Sequence, residues 1–243
     1  MPSREDKMAE NNAQSAGNPE SGYWLTFSPS PTDILHDFCG THDIRGAICP
    51  NCNTPFMRLL SLHAKDVRLN FDVVRHPVVH LLYCWTCSVP FGEFSYRVGG
   101  DGTIELLQVA PRQPTMEFGS EGPYDGYTGV FPYRQVGLQQ QTADEQRMLT
   151  ARQSDDSDGD DDDELFSPRH QVGGYPLIYN PGKVFCPVCS VEMPLLAAIC
   201  DDATGNDPFG VEPEHSFAGN GGVQMLFHFC RGCSVVSAYH SCD

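Results

Sequence analysis

The chain has 243 residues, with 15 Lys and Arg against 32 Asp and Glu, a formal charge of −17, and 11 cysteines. A chain of this length forms one large or two small domains, and 40% hydrophobic residues are enough for a core. The acid excess argues against sequence-independent nucleic-acid binding, which needs Lys and Arg to displace phosphate counterions, and it favours a basic protein partner.

Residues 1–22 are polar, without periodic apolar positions, and read as a disordered tail. They contain no apolar h-region, and the longest apolar runs are far too short to span a bilayer, so a cytoplasmic protein is expected. Residues 23–27 form a short aromatic and β-branched run that ends before Pro29 and Pro31, and residues 78–83 form a continuous apolar run; both predict strands. Residues 94–98, the turn GGDG and residues 103–109 predict a hairpin. Thr142 and Glu145 have capping-box spacing just ahead of Met148 and Leu149, which predicts a helix. Residues 154–164, SDDSDGDDDDE, carry eight acids that repel one another and bury nothing, so they read as a solvated linker and leave a folded remainder near −9. An EF-hand does not fit this run, because Leu165 stands where the loop needs its bidentate Glu. Beyond the linker, residues 201–222 read as a long loop, and residues 223–229 and 235–239 as strands flanking a tight Cys turn. The organisation predicted is a tail (1–22), a first half (23–153), a linker (154–169) and a second half (170–243).

Eight cysteines form four C-x-x-C pairs: Cys49 with Cys52, Cys84 with Cys87, Cys186 with Cys189, and Cys230 with Cys233. In a reducing compartment such a set of thiols is metal-binding more often than disulfide-bonded. Zinc takes four thiolates in a tetrahedron, and a C-x-x-C turn aims two of them at one point. Two pairs make one closed site, and the linker separates the pairs into two sets, so two structural zinc ions are expected, one per half. A redox C-x-x-C sits singly at the start of a helix after a strand, whereas these come in matched pairs beside strand-like runs. Cys39, Cys200 and Cys242 remain; Cys39 with His42, and His240 with Cys242, could tie a third site together, although free thiols are the commoner outcome. The isolated His63, His80, His215 and His228 read as surface or satisfied core residues.

The halves look like copies. His42-Asp43-Ile44-Arg45-Gly46 precedes one C-P-x-C and His170-Gln171-Val172-Gly173-Gly174 the other, and the closing segments LLYCWTCSV and FHFCRGCSV match. Each copy would be one zinc-bearing β unit, and the two can pack about a pseudo-twofold axis. The predicted class is a β-rich α+β fold, internally duplicated.

The blocks CPNCNTPFMRLLSLHAKDVRL, LLYCWTCSVPFGEFSYRV, HQVGGYPLIYN and CPVCSVEMPLLAAI, with a Gly-rich stretch before LFHFCRGC, together resemble the bacterial YwqG-like family, a domain family of unknown function. The likeness covers about residues 23–243 apart from the linker. The GGYP segment followed by C-P-x-C is similar, more distantly, to the programmed cell death protein 2 family, whose members are implicated as dedicated chaperones for a small-subunit ribosomal protein. The resemblance implies a β-rich fold with internal duplication and zinc knuckles, and it implies no activity. Leu177, Ile178, Tyr179 and Asn180 stand where the bacterial family carries a P-x-W-x-Q run, so no ligand role passes to that Gln.

No catalytic constellation emerges. H-E-x-x-H, a nucleophile elbow and a P-loop are absent, and Pro50 and Pro187 follow their first Cys rather than precede it as in a zinc deaminase. A catalytic zinc keeps a position open, and four cysteines leave none. The expected function is a non-enzymatic, zinc-stabilised protein that binds a basic protein partner, as a chaperone or as an immunity protein. Two other readings stand beside it. One is a small-molecule or enzymatic pocket at Gly173, Gly174, Tyr175 and Pro176. The other is a nucleic-acid-associated zinc protein, for which Arg45, Arg58, Lys65, Arg68, Arg75 and Arg97 would supply a sparse basic face.

Overall fold

Strands dominate because β-branched and aromatic residues cluster in short runs between Gly and Pro breaks. The computed structural model describes residues 22–50, 53–71, 76–84, 94–109, 131–154, 170–176, 183–200 and 223–242. In chain order they form β1 (Tyr23–Thr26), β2 (His36–Phe38), β3 (Met57–His63), a 3-10 turn (Val67–Leu69), β4 (Val78–Tyr83), β5 (Phe94–Val98), β6 (Ile104–Val109), β7 (Arg134–Gln140), the helix α1 (Ala143–Ser154), β8 (Gln171–Val172), β9 (Leu195–Cys200), β10 (Val223–Cys230) and β11 (Val235–Cys242). The predicted tail up to residue 21, nearly all of the acidic linker and the 201–222 loop lie outside the described residues.

All eleven strands join one sheet in the order β4-β3-β2-β7-β1-β8-β9-β10-β11-β5-β6, antiparallel in every described pairing. The sheet curls until its β4 end meets β5 and β11. There the Tyr96 hydroxyl on β5 donates to the His80 carbonyl (2.6 Å) and accepts from the Leu82 amide (2.9 Å). A side chain thereby satisfies edge groups that would otherwise invite another strand. The concave side holds one core to which both halves contribute, including Phe38, Leu60, Leu81 and Tyr96 from the first and Ala197, Met225, Phe227 and Val236 from the second. Alternation along β10 explains how: Met225, Phe227 and Phe229 face this core, while Leu226 packs with Ala198 on the other face.

The predicted hairpin of β5 and β6 and the predicted helix are both present. The capping box closes as Glu145 N donates to Thr142 Oγ1 (3.2 Å) and Thr142 N to a Glu145 carboxylate oxygen (2.7 Å). The other carboxylate oxygen accepts from Trp24 Nε1 (3.0 Å), and Leu149 is buried, which fastens α1 beside β1. Among the described residues α1 is the one α-helix, so the architecture is strand-rich rather than evenly mixed. No described helix is long and apolar enough to cross a membrane, which says nothing of strands.

Strand order reads alike outward from the β7/β1 pair, as β7-β2-β3-β4 on one side and β1-β8-β9-β10 on the other. Local details recur with it. A register shift skips Leu59 where β3 pairs β4 and Leu196 where β9 pairs β10. Cys39 N bonds Leu59 O (3.0 Å), and Gly173 N bonds Leu196 O (2.8 Å). Left-handed pairs follow β2 and β8, at Cys39 and Gly40 (φ 54 and 83) and at Gly173 and Gly174 (φ 65 and 69). By position ahead of the left-handed pair, His170 lines up with His36 rather than with His42, whose segment the sequence reading set beside it.

Candidate metal centre

The first part of the centre is the turn Cys186-Pro187-Val188-Cys189 ahead of β9. Its chain folds back on itself: Cys186 N bonds Val191 O (2.9 Å), Ser190 N bonds Cys186 O (2.8 Å), Met193 N bonds Val184 O (2.8 Å), and Phe185 pairs Glu192 in an isolated bridge. Reversal this tight puts the residue after the second Cys in the left-handed region, at Ser190 (φ 57). The second part is the Cys230–Cys233 turn between β10 and β11, again followed by a left-handed serine, Ser234 (φ 54).

The sheet carries both turns to one place. The four Sγ atoms of Cys186, Cys189, Cys230 and Cys233 all lie within 4.8 Å of one another, with Cys189 and Cys230 sulfurs 3.7 Å apart. Val184, Met193 and Val235 wall the cluster, with Leu107 of β6 packed against it. Cys186 and Cys230 are buried, Cys233 half-buried and Cys189 exposed. Burial pushes the Cys230 thiol far up and the Cys233 thiol to about 11. Cys189 also suffers desolvation, but hydrogen bonds from the Val191 amide and from the neighbouring thiols hold it below the usual thiol range. Desolvation therefore opposes thiolate formation at Cys230 and Cys233, and a bound cation would favour it. Four sulfur donors in this arrangement could hold a metal ion and would leave no coordination position open.

The first-half set is described only in part. Cys52 and Cys87 lie outside the described residues; Cys49 and Cys84 are both buried. Around Cys49 the backbone repeats the pattern at Cys186: Cys49 N bonds Thr54 O (2.9 Å), Asn53 N bonds Cys49 O (2.8 Å), Phe56 N bonds Ala47 O (2.9 Å), Ile48 pairs Pro55, and Asn53 has φ 58.

Cys39 and His42 do not face a common point. Cys39 Sγ is directed at Leu59 O (3.7 Å), and His42 Nε2 donates to Phe56 O (2.6 Å) while its Nδ1 accepts from Ile44 N. The four-cysteine cluster of the second half is the one potential metal group among the described residues. The side chains of Cys200, His240 and Cys242, and all of His215, lie outside them.

Sequence reading missed a buried polar network beneath β2 and the 3-10 turn. His36 Nδ1 accepts from the His63 amide (3.1 Å), which leaves Nε2–H to donate to Asp66 Oδ2 (3.1 Å). Arg68 grips the same carboxylate through Nε (2.8 Å) and Nη2 (2.5 Å) and reaches Leu138 O on β7 (2.9 Å). Despite its burial, Asp66 is held below the usual carboxylate range, chiefly by Arg68. The D-x-R spacing at the start of a 3-10 turn, with Asp66 capping the Arg68 amide (3.1 Å), is the one local signal that could have marked it. His63 and His80 are satisfied as expected, His63 by Asp37 (3.0 Å) and His80 by Ser61 (2.8 Å), whereas His228 bonds Met193 O through Nδ1 (2.9 Å) and its buried Nε2 has no partner among the described residues.

At the GGYP segment, Gln171 Nε2 donates to Gly173 O and Tyr175 O (2.9 Å each). Its Oε1 and both amide atoms of Gln141, which packs against Gly22 and Gly174, are buried without a hydrogen-bond partner among the described residues.

No family model, curated protein or solved structure matches the chain. Fold and site together define a class: a curled antiparallel β protein with a four-cysteine centre built from two knuckles of its second half.

Proposed function

We propose that this is a zinc-stabilised binding protein, without catalysis of its own, that recognises a basic protein partner. The observation that carries this reading is the closed set of four sulfurs at Cys186, Cys189, Cys230 and Cys233. A four-thiolate zinc is a structural ion. The matching backbone at Cys49 and the burial of Cys49 and Cys84 support a second zinc held with Cys52 and Cys87. The mirrored strand order, paired register shifts and paired left-handed residues support an internal duplication about a pseudo-twofold axis. The folded remainder near −9, outside the acidic linker, supports the basic partner. Elemental analysis of the purified chain should give two zinc atoms per molecule, and affinity capture should enrich basic proteins in a salt-sensitive manner. Capture of acidic proteins only, or of none, would remove the partner reading while leaving the zinc reading standing.

A second reading is favoured by the three unpartnered amide atoms of Gln141 and Gln171 beside Gly173 and Gly174. Buried amide groups without partners are destabilising by about 1–3 kcal/mol each, and a small polar molecule seated there would relieve them. Stabilisation of the native chain in a thermal-shift screen of small amides and sugars, lost in Gln171→Leu, is its expected signature.

A further inference from the structure

Arg231 belongs to the Cys230–Cys233 turn, yet its side chain leaves that turn for the other half of the molecule. Its Nε donates to Asn70 O (3.0 Å) and Nη2 to Leu69 O (3.2 Å), the carbonyls that end the 3-10 turn between β3 and β4. Phe229, just before the turn, meets Phe71 edge to face at 5.5 Å. Arg231 is half-buried and makes no ion pair among the described residues. Its backbone lies between Cys230 and Cys233, two of the four sulfur-bearing residues, so an ion held by the cluster would fix the turn from which Arg231 reaches across. At its other end the 3-10 turn begins at Asp66, which closes the network of His36, Arg68 and Leu138 O.

We infer that the four-cysteine centre and the 3-10 turn form one metal-linked latch, in which loading the centre holds Arg231 on the Leu69 and Asn70 carbonyls and so keeps the buried Asp66 network of the first half closed. This rests on the reading of the cluster as a metal site. Coupling of this kind is reciprocal: whatever loosens the turn also weakens metal binding, as loss of an outer partner does at other metal sites.

Hydrogen exchange on the full chain, loaded with zinc, tests the latch through the amides of Leu69 and Asn70, which bond Asp66 O (3.0 Å) and Val67 O (3.3 Å). In zinc-loaded Arg231→Gln these amides should exchange at least about tenfold faster than in the wild type while those of β9 and β10 keep their protection. Zinc affinity, from competition with a chromophoric chelator, should fall roughly tenfold. Arg231→Lys, which can reach one carbonyl but not two, should fall between them. Chelation of the wild type should loosen the same two amides; if it unfolds the whole chain, the loaded variant still decides. A chain that binds zinc, with wild-type exchange and affinity in Arg231→Gln, overturns the latch alone. A chain that takes up no zinc overturns the metal reading and the latch together.

Discussion

Histidines buried as neutral rings set a limit on acid stability, and the sheet holds several. His36, His80 and His228 all have pKa values lowered first by burial, His80 to about 4 from 6.5. Above pH 6.5 both folded and unfolded forms of His80 are neutral, and its burial carries no protonation penalty. As the pH falls from 6.5 toward about 4, the unfolded chain takes the proton first, so stability declines through that window. His80 alone should account for a loss of about 2 kcal/mol between pH 6.5 and about pH 5, at roughly 1.4 kcal/mol per unit. Denaturant unfolding of His80→Gln, which can keep the Ser61 bond without titrating, should show a correspondingly shallower pH dependence; an unchanged slope would count against the burial argument. Cysteines differ just as sharply from one another. Cys186→Ala should remove one metal ion per chain and destabilise the fold by many kcal/mol, since structural zinc contributes roughly 10 to 16 kcal/mol in small domains. Cys39→Ala should leave the metal content unchanged, because its sulfur is directed at a carbonyl.

Two elements hang on a few side chains. The 3-10 turn at Val67–Leu69 is too short to be stable alone and is held by the Asp66 cap, by Arg68 and by Arg231. Asp66→Asn keeps the shape but strands the His36 and Arg68 donors, and should destabilise the chain by about 3 kcal/mol in denaturant unfolding. The β4 edge depends on one phenol. Tyr96→Phe leaves Leu82 N and His80 O without their partner, a loss of about 1–3 kcal/mol, and reopens an edge for intermolecular pairing. Light scattering at matched concentration should show the variant aggregating sooner than the wild type. Only the first left a trace in the sequence, the D-x-R spacing of Asp66 and Arg68; Tyr96 reads only as a strand aromatic, and nothing near it names β4 as its neighbour. The helix α1 is the opposite case, legible from Thr142 and Glu145 because its cap is made within three residues.

At the scale of the molecule the halves interleave. β1 pairs β8 and β5 pairs β11, so the four strands of the second half sit between strands of the first in one sheet. The linker boundary at residue 154 marks a change in composition and not a boundary of the core, to which both halves contribute. Loss of metal at the second-half cluster should therefore be felt across the chain, and chelation should lower the unfolding temperature in a single shared transition rather than melt one half alone. Two resolved calorimetric transitions would contradict the shared core.

What the sequence alone determined is what spacing can encode: the C-x-x-C turns, the hairpin of β5 and β6, the capped helix, and the grouping of Cys186, Cys189, Cys230 and Cys233. Each depends on residues a few positions apart or on a ligand count that chemistry restricts to four. Only the tertiary structure decided the strand order, the sealing of β4 by Tyr96, the correspondence of His36 with His170, and the reach of Arg231 to Leu69 and Asn70. Those contacts join residues far apart in the chain, and their partners are selected by the curl of the sheet, which no local pattern records.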